Sequence, residues 1–168
     1  MKPMKTLVAY YSLTGQTRAL AEAIASRLDG GAVLDEIKPL KPYGRVTAYV
    51  FGRADVVNKK IIALSPAKRD ASAFDALVLL TPIWASNFVP PIRAFVHSLP
   101  QGNGKPCVLC ITYGGNYGSA LDELPKLLEA KGYAVRAKIA VKNGEKIDEA
   151  IAKTAAALAA PVLENAFA

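Results

Sequence analysis

The chain has 168 residues, a formal net charge of +7, 52% hydrophobic residues and 21% charged residues. This length predicts a single domain over residues 1–168, and the composition excludes an intrinsically disordered protein. Two cysteines and a single histidine argue against hydrolytic and metal chemistry, and no apolar stretch reaches the ~18 residues of a membrane span.

The first predicted elements are a strand over residues 6–11 and a helix over residues 16–28. The strand segment is almost entirely apolar, and Leu20, Ile24 and Leu28 recur at helical spacing. Only a few residues precede this strand, which leaves no room for a signal peptide. We therefore expect a cytoplasmic protein.

The rest of the chain alternates predicted strands with predicted helices, which favours a parallel sheet covered on both faces. Further strands are predicted at 32–37, 74–81, 105–111 and 134–141, and further helices at 46–57 (a weak apolar face of Val46, Tyr49, Val50 and Val57), 90–98, 119–131 and 147–158. Loops are predicted at 82–88 and 112–118. Ser119 with Asp122 resembles a capping box, and the last helix is expected to bend or end near Pro161.

The loop between the first strand and the first helix is rich in hydroxyl groups. It consists of Ser12, Leu13, Thr14, Gly15, Gln16 and Thr17. Its position directs hydroxyls and backbone N–H groups at one point, in front of the positive end of a helix dipole. The loop holds no lysine, and neither the triphosphate loop nor the G-x-G-x-x-G motif occurs, so it predicts a monophosphate site. The alternative is that Thr14 or Ser12 only caps the helix.

Two further loops would lie at the same edge of the sheet as this phosphate loop. One begins with Pro82, Ile83, Trp84 and Ala85, and the other contains Thr112, Tyr113, Gly114, Gly115, Asn116 and Tyr117. In parallel sheets the ligand lies beyond the carboxyl ends of the strands. Aromatic side chains here can stack on a flat ligand, and glycine backbone groups can bind its polar edge. The alternative is that Trp84 and Tyr117 pack on loop and helix surface.

The two cysteines, Cys107 and Cys110, form a C-x-x-C pattern within a predicted strand. Residues three apart on a strand face opposite sides of the sheet. We therefore predict two buried small hydrophobic residues rather than a redox pair or a zinc site. His97 stands late in a predicted helix, where a solvated or satisfied side chain is expected.

Together the three loops resemble those of the flavodoxins. The pattern Ser-x-Thr-Gly-x-Thr directly after the first strand is similar to their FMN phosphate loop, and the resemblance covers nearly the whole chain. It implies a flavodoxin-like α/β fold, a doubly wound five-stranded parallel sheet of order 2-1-3-4-5 with helices on both faces. It also implies that Trp84 and Tyr117 stack on the flavin, with Tyr113 as the rival of Tyr117. No side chain is expected to act as a catalytic acid or base.

Two features depart from the flavodoxin pattern. Flavodoxins that carry electrons are acidic around the flavin, whereas residues 38–60 here hold six basic residues and one acid. This segment can meet an acidic partner, nucleic acid or a cofactor phosphate, or it can be a solvated face. In addition, Ala85 stands where many flavodoxins have a glycine at which a peptide flips, and alanine opposes the required positive φ by about 1–2 kcal/mol.

The function expected from these features is that of an FMN-binding protein that carries electrons for a redox partner protein. One alternative is an NAD(P)H-dependent flavin or quinone reductase of the same fold. Its basic segment would help to hold the nucleotide phosphate. The other alternative is a binding module without flavin. No nucleic acid or membrane partner is expected, and the oligomeric state stays open.

Overall fold

A parallel sheet forms the centre of the computed structural model, which describes residues 2–160. The strands are β1 (Thr6–Tyr10), β2 (Val33–Glu36), β3 (Ala76–Trp84), β4 (Asn87–Phe88), β5 (Pro106–Tyr113) and β6 (Ala134–Lys142). The parallel order is β2-β1-β3-β5-β6, and the short β4 pairs antiparallel with the end of β3. With β4 set aside, this is the predicted order 2-1-3-4-5, so the fold prediction is confirmed.

Helices cover both faces of this sheet. They are α1 (Gln16–Arg27), α2 (Arg45–Thr47), α3 (Arg53–Val57), α4 (Pro90–Ser98), α5 (Ala120–Ala130) and α6 (Asp148–Ala159). A π-helical turn, Ala48–Gly52, joins α2 to α3, so residues 45–57 form one helical segment. His97 near the end of α4 is exposed, as predicted. The predicted bend at Pro161 lies outside the described residues.

Two apolar cores lie on opposite faces of the sheet, because successive strand residues point to opposite sides. The core beneath α1 and α6 contains Val8 and Cys110, and the core beneath α4 and α5 contains Leu7 and Cys107. Both cysteines are fully buried, as predicted. Burial raises the pKa of both thiols, that of Cys110 to about 12, so neither is a thiolate at neutral pH.

The prediction of a loop over 82–88 was wrong. β3 continues to Trp84, and β4 pairs back on it as a hairpin. The two residues between them, Ala85 and Ser86, have φ angles of 48° and 59°. Positive φ at both positions is typical of a type I′ hairpin turn, which is usually signalled by Asn-Gly or Asp-Gly. Ala85 thus adopts the positive φ that alanine was expected to oppose.

The other predicted loop, 112–118, is shorter than expected. Thr112 and Tyr113 complete β5, so the connection to α5 begins after them. The capping box predicted at the start of α5 does not form, because the side chain of Ser119 makes no capping hydrogen bond. Its carbonyl oxygen accepts instead from the backbone N–H groups of Asp122 and Glu123.

The 45–57 helical segment buries its small residues and exposes its large ones. Its buried residues are Ala48, Gly52 and Val56, spaced four apart, and its exposed apolar residues are Val46, Tyr49, Val50, Phe51 and Val57. An amphipathic helix ordinarily turns its large apolar face to the core. Here a Cβ atom on Gly52 would lie 2.9 Å from the Trp84 ring, so only a small residue fits the inward face at that point.

Candidate functional site

The loop of residues 12–17 forms a tight turn where β1 leads into α1. Gly15 is the N-cap residue of α1 with φ 100°, so neither Ser12 nor Thr14 caps the helix, contrary to the simple capping alternative. The Ser12 hydroxyl accepts a hydrogen bond from the Gly15 N–H at 3.1 Å. A Cβ atom on Gly15 would meet nothing within 4 Å, and Thr14 is exposed. The turn therefore leaves open space in front of the helix N-terminus.

Thr17, the last hydroxyl of that predicted loop, is buried and hydrogen-bonded to the end of β5. Its Oγ1 lies 2.7 Å from Oγ1 of Thr112 at the end of β5. Each hydroxyl has one proton, and a bond between the two uses only one of them. The second proton stays available to an acceptor placed beside the pair.

Trp84 at the end of β3 lies in an aromatic cluster and is partly exposed. Its ring meets Tyr11 and Tyr43 edge-on, with centroid distances of 5.7 Å and 5.3 Å, and Gly52 lies against it. Burial raises the pKa of Tyr11 to about 12, and the Tyr43 hydroxyl donates to Asp55 at 2.8 Å. Trp84 therefore packs on the 45–57 helical segment, and part of its side chain stays exposed.

The predicted site list did not include these neighbours of Trp84. Tyr11 directly follows β1, and an aromatic residue at that edge of the sheet is a signal that could have found it. Tyr43 and Gly52 approach Trp84 from a distant part of the chain. Nothing in the local sequence pattern indicates that approach.

The glycine-rich loop after β5 packs against the β3–β4 hairpin. Tyr113 and Tyr117 meet edge-to-face with ring centroids 5.0 Å apart. The Asn116 side chain accepts from the Gly118 N–H at 2.6 Å. Gly118 has φ 50°, and a Cβ atom there would overlap the carbonyl oxygen of Ser86. Gly114, Gly115 and Asn116 are exposed.

The three predicted loops thus meet at the carboxyl ends of three adjacent strands, β1, β3 and β5. The Thr17–Thr112 hydrogen bond joins the first loop to the third, and the contact of Ser86 with Gly118 joins the second to the third. Of the other predicted residues, Leu13 and Ile83 pack against the core beneath α4 and α5, and Gln16 is exposed. Pro82 pairs with Thr112 in the sheet. The strands β2 and β3 lie on opposite sides of β1, so the strand order reverses at β1. Open α/β sheets bind their ligands at such a reversal.

The side chain of Glu123 in α5 binds the β3–β4 hairpin. Its carboxylate accepts from Asn87 and from Arg93, both at 2.9 Å, and Lys59 lies 3.1 Å from it. Burial would raise the pKa of Glu123, but these three partners outweigh it and hold the pKa below its usual range. Arg93 in turn lies 4.3 Å above the Phe88 ring. The carboxylate therefore connects the hairpin, α4, α5 and Lys59, which follows the 45–57 helical segment.

A cavity of about 850 Å³ lies away from these loops, on the flank of the sheet between β2 and α4. Ile37, Leu64 and Phe95 form apolar walls, and burial raises the pKa of Asp35 on its lining. None of the predicted site residues lines it. Within residues 2–160, no group of three or more histidine, cysteine, aspartate or glutamate side chains is arranged to hold a metal ion. No helix in that range is long and apolar enough to cross a membrane.

The chain is similar to solved structures of other proteins. No protein-family model matches the chain, and no curated protein matches it. A protein of Bacteroides eggerthii that is provisionally named a flavoprotein is 23% identical, with a TM-score of 0.75 over 94% of this chain and 99% of that one. A Lactobacillus acidophilus flavoprotein, solved in complex with FMN, is 18% identical, with a TM-score of 0.69 over 82% and 93%.

A flavodoxin from the domain Archaea is also similar, at 19% identity and a TM-score of 0.61 over 92% of this chain and 96% of that one. All three relatives have low sequence identity but cover most of both chains. What these structures share with this chain is the overall path of the backbone, as their TM-scores of 0.61 to 0.75 measure. The chain therefore has the flavodoxin-like fold.

Proposed function

We propose that the chain binds one FMN at the three loops and carries electrons for a redox partner protein. The main support is the convergence of the loops after β1, β3 and β5, which are already joined through Thr17–Thr112 and Ser86–Gly118. The Lactobacillus acidophilus flavoprotein of the same fold was solved with FMN. The loop after β1 is the one whose chemistry suits a phosphate.

The residues of the first loop fit a phosphate monoester. Gly15 leaves space where a side chain would stand, and the N–H groups of the first turn of α1 point into that space. The exposed hydroxyl of Thr14 and the second proton of the Thr17–Thr112 pair add donors. Hydrogen bonds to a charged group are worth about 1.5–3 kcal/mol each.

The other two loops fit a flat ring with a polar edge. The partly exposed Trp84 and the Tyr113–Tyr117 pair offer aromatic surface, and Tyr113 and Tyr117 stay rivals for the stacking position. The exposed backbone of Gly114 and Gly115 offers hydrogen bonds to the edge. Bound FMN would supply the redox chemistry, while the protein binds it, orients it and limits the access of water.

The test separates an electron carrier from a reductase and from a module without flavin. The protein is loaded with FMN under anaerobic conditions and mixed with NADH or NADPH, and a matched sample is mixed with dithionite. A carrier is bleached by dithionite, passes electrons to an added acceptor protein, and is not bleached by either nicotinamide. Rapid bleaching by NADPH with turnover of a quinone would identify the reductase alternative. Failure to retain FMN would identify the binding module.

A further inference from the structure

Exposed apolar side chains are concentrated in one stretch of the surface. In the described part of the chain, every large apolar side chain that is more than half exposed lies between residues 40 and 61. They are Leu40, Val46, Tyr49, Val50, Phe51, Val57 and Ile61. We call the surface formed by these side chains and by the exposed polar residues between positions 40 and 61 the 40–61 surface. Clustered exposed apolar residues mark interaction sites, whereas single ones are ordinary.

The outward orientation of these side chains is built into the packing of the 45–57 helical segment. Gly52 faces the Trp84 ring at a distance that excludes any side chain. Rotating the helix to bury Tyr49 or Phe51 would place a large ring where only glycine fits. The segment therefore presents its apolar stripe to whatever binds it from outside.

This surface contains a groove that can receive a partner's side chains. The groove has a volume of about 470 Å³, with Leu40, Phe51 and Ile61 on its apolar walls and Lys41 and Lys60 beside them. Interfaces concentrate their binding energy where a few large side chains enter such a pocket. The combination of apolar walls and flanking lysines favours an anchor side chain accompanied by carboxylates.

The charge of the 40–61 surface is positive. Its one acid, Asp55, is occupied by the Tyr43 hydroxyl at 2.8 Å and by Lys60 at 3.5 Å. Lys41 and Arg45 are exposed, and within residues 2–160 neither has a carboxylate within 4.0 Å. A second copy of the chain would bring the same positive surface, and like charges at an interface cost several kcal/mol. The complementary partner is an acidic protein.

The surface also adjoins the candidate FMN site. Gly52, on the inner side of the 45–57 helical segment, and Tyr43, which precedes that segment, both contact Trp84. A partner on the outer side is therefore separated from that aromatic cluster by about the thickness of one helix, roughly 10 Å. That places a docked protein beside the predicted loops.

We propose that the 40–61 surface docks a small acidic electron-transfer protein, whose contact face has an apolar centre and a rim of carboxylates. One electron would pass from the reduced redox centre of that partner, which is oxidised, to FMN bound at the three loops, which would be reduced by that one electron. This inference rests on the proposed function for its redox role. The docking itself depends only on the apolar and basic side chains.

The experiment measures binding of a plant-type [2Fe–2S] ferredoxin, an acidic probe, by isothermal titration calorimetry. Cytochrome c, a basic carrier of similar size, is the opposite-charge control. We expect the ferredoxin to bind and the cytochrome c not to bind. The affinity should fall when the ionic strength rises from about 0.01 M to about 0.15 M, which shortens the screening length from ~30 Å to ~8 Å.

Variants localise the surface. Phe51→Gln and Arg45→Glu should each weaken ferredoxin binding by about tenfold or more. Lys138→Glu makes the same charge change on β6, at the far edge of the sheet, and should leave affinity within about twofold. All three variants alter exposed residues outside the predicted FMN loops, so FMN binding should stay unchanged in each.

Three results would each overturn the docking proposal while FMN binding stands. The first is no ferredoxin binding by the FMN-loaded protein, and the second is an equal loss of affinity in Lys138→Glu and Arg45→Glu. The third is a stable dimer, seen by sedimentation, that Phe51→Gln dissociates, because the occupant is then a second copy. Ferredoxin binding by a protein that takes up no FMN would retain the docking surface and refute the proposed function.

Discussion

The hydroxyl oxygens of Thr17 and Thr112 lie 2.7 Å apart in a buried hydrogen bond. Thr17 belongs to the first turn of α1, and Thr112 lies at the end of β5. The bond therefore holds the phosphate loop and the glycine-rich loop in a fixed relation. It also distinguishes Thr17 from Thr14, whose side chain is exposed.

Thr14→Ala and Thr17→Ala should each weaken FMN binding by about 1–3 kcal/mol, since each removes a donor to a charged group. Only Thr17→Ala should also lower the free energy of unfolding without FMN, because it leaves the buried Thr112 hydroxyl without this partner. Calorimetric titration gives the first quantity and urea denaturation the second. Normal FMN binding by the double variant would mean that the loop has been misread.

Gly118→Ala should lower the free energy of unfolding by about 2–4 kcal/mol. The new methyl group would overlap the Ser86 carbonyl, and alanine is strained at φ 50°. Gly115→Ala is the matched control in the same loop, because a Cβ atom there meets nothing within 4 Å. Urea denaturation of both variants tests the contact, and equal stabilities would show that the hairpin and the loop do not touch.

Ala85→Gly should raise the free energy of unfolding by about 0.5–1 kcal/mol. It removes left-handed strain of ~1–2 kcal/mol at φ 48°, which exceeds the ~0.5–1 kcal/mol of backbone entropy that glycine adds to the unfolded chain. The same change in the exposed helical residue Ala152 should cost about 1 kcal/mol. Thermal unfolding measures both, and destabilisation by Ala85→Gly would contradict the type I′ turn.

Glu123→Gln should lower the free energy of unfolding by about 1–3 kcal/mol at neutral pH, because the charged partners Arg93 and Lys59 lose their carboxylate. The pKa of Glu123 is lowered in the folded state, so its contribution is present above the unfolded pKa. It is lost as the pH falls through the lowered pKa of the folded state. Wild type should therefore lose more stability than Glu123→Gln between pH 5 and about 3. If the free energy of unfolding of wild type and of Glu123→Gln fell equally over this pH range, the Glu123 carboxylate would not stabilise the fold in this way.

The strand order could be predicted because the signals for it are local. Buried apolar runs such as β5 alternate with amphipathic helices, and the C-x-x-C spacing alone placed Cys107 and Cys110 on opposite faces. The edge of the sheet that carries the three loops followed from the same alternation. Whether those loops hold a ligand stays a prediction.

The details that sequence could not provide depend on contacts between distant residues. The β3–β4 hairpin was missed because Ala85 and Ser86 carry no turn signal, and their positive φ is held by pairing and by the contact with Gly118. The sequence also does not indicate that the 45–57 helical segment turns its large apolar side chains outward. This orientation depends on the approach of Gly52 to Trp84, which no periodicity within the segment reveals.

The most direct measurement is a titration of the purified apoprotein with FMN and, separately, with FAD. Trp84 is the only tryptophan, so its emission reports on this site alone. We expect saturation at one FMN per chain, a shift in the flavin spectrum, quenching of Trp84 emission, and FAD binding at least about tenfold weaker. FMN that leaves both the flavin spectrum and Trp84 emission unchanged, or FAD that binds as tightly as FMN, would contradict the proposed FMN site.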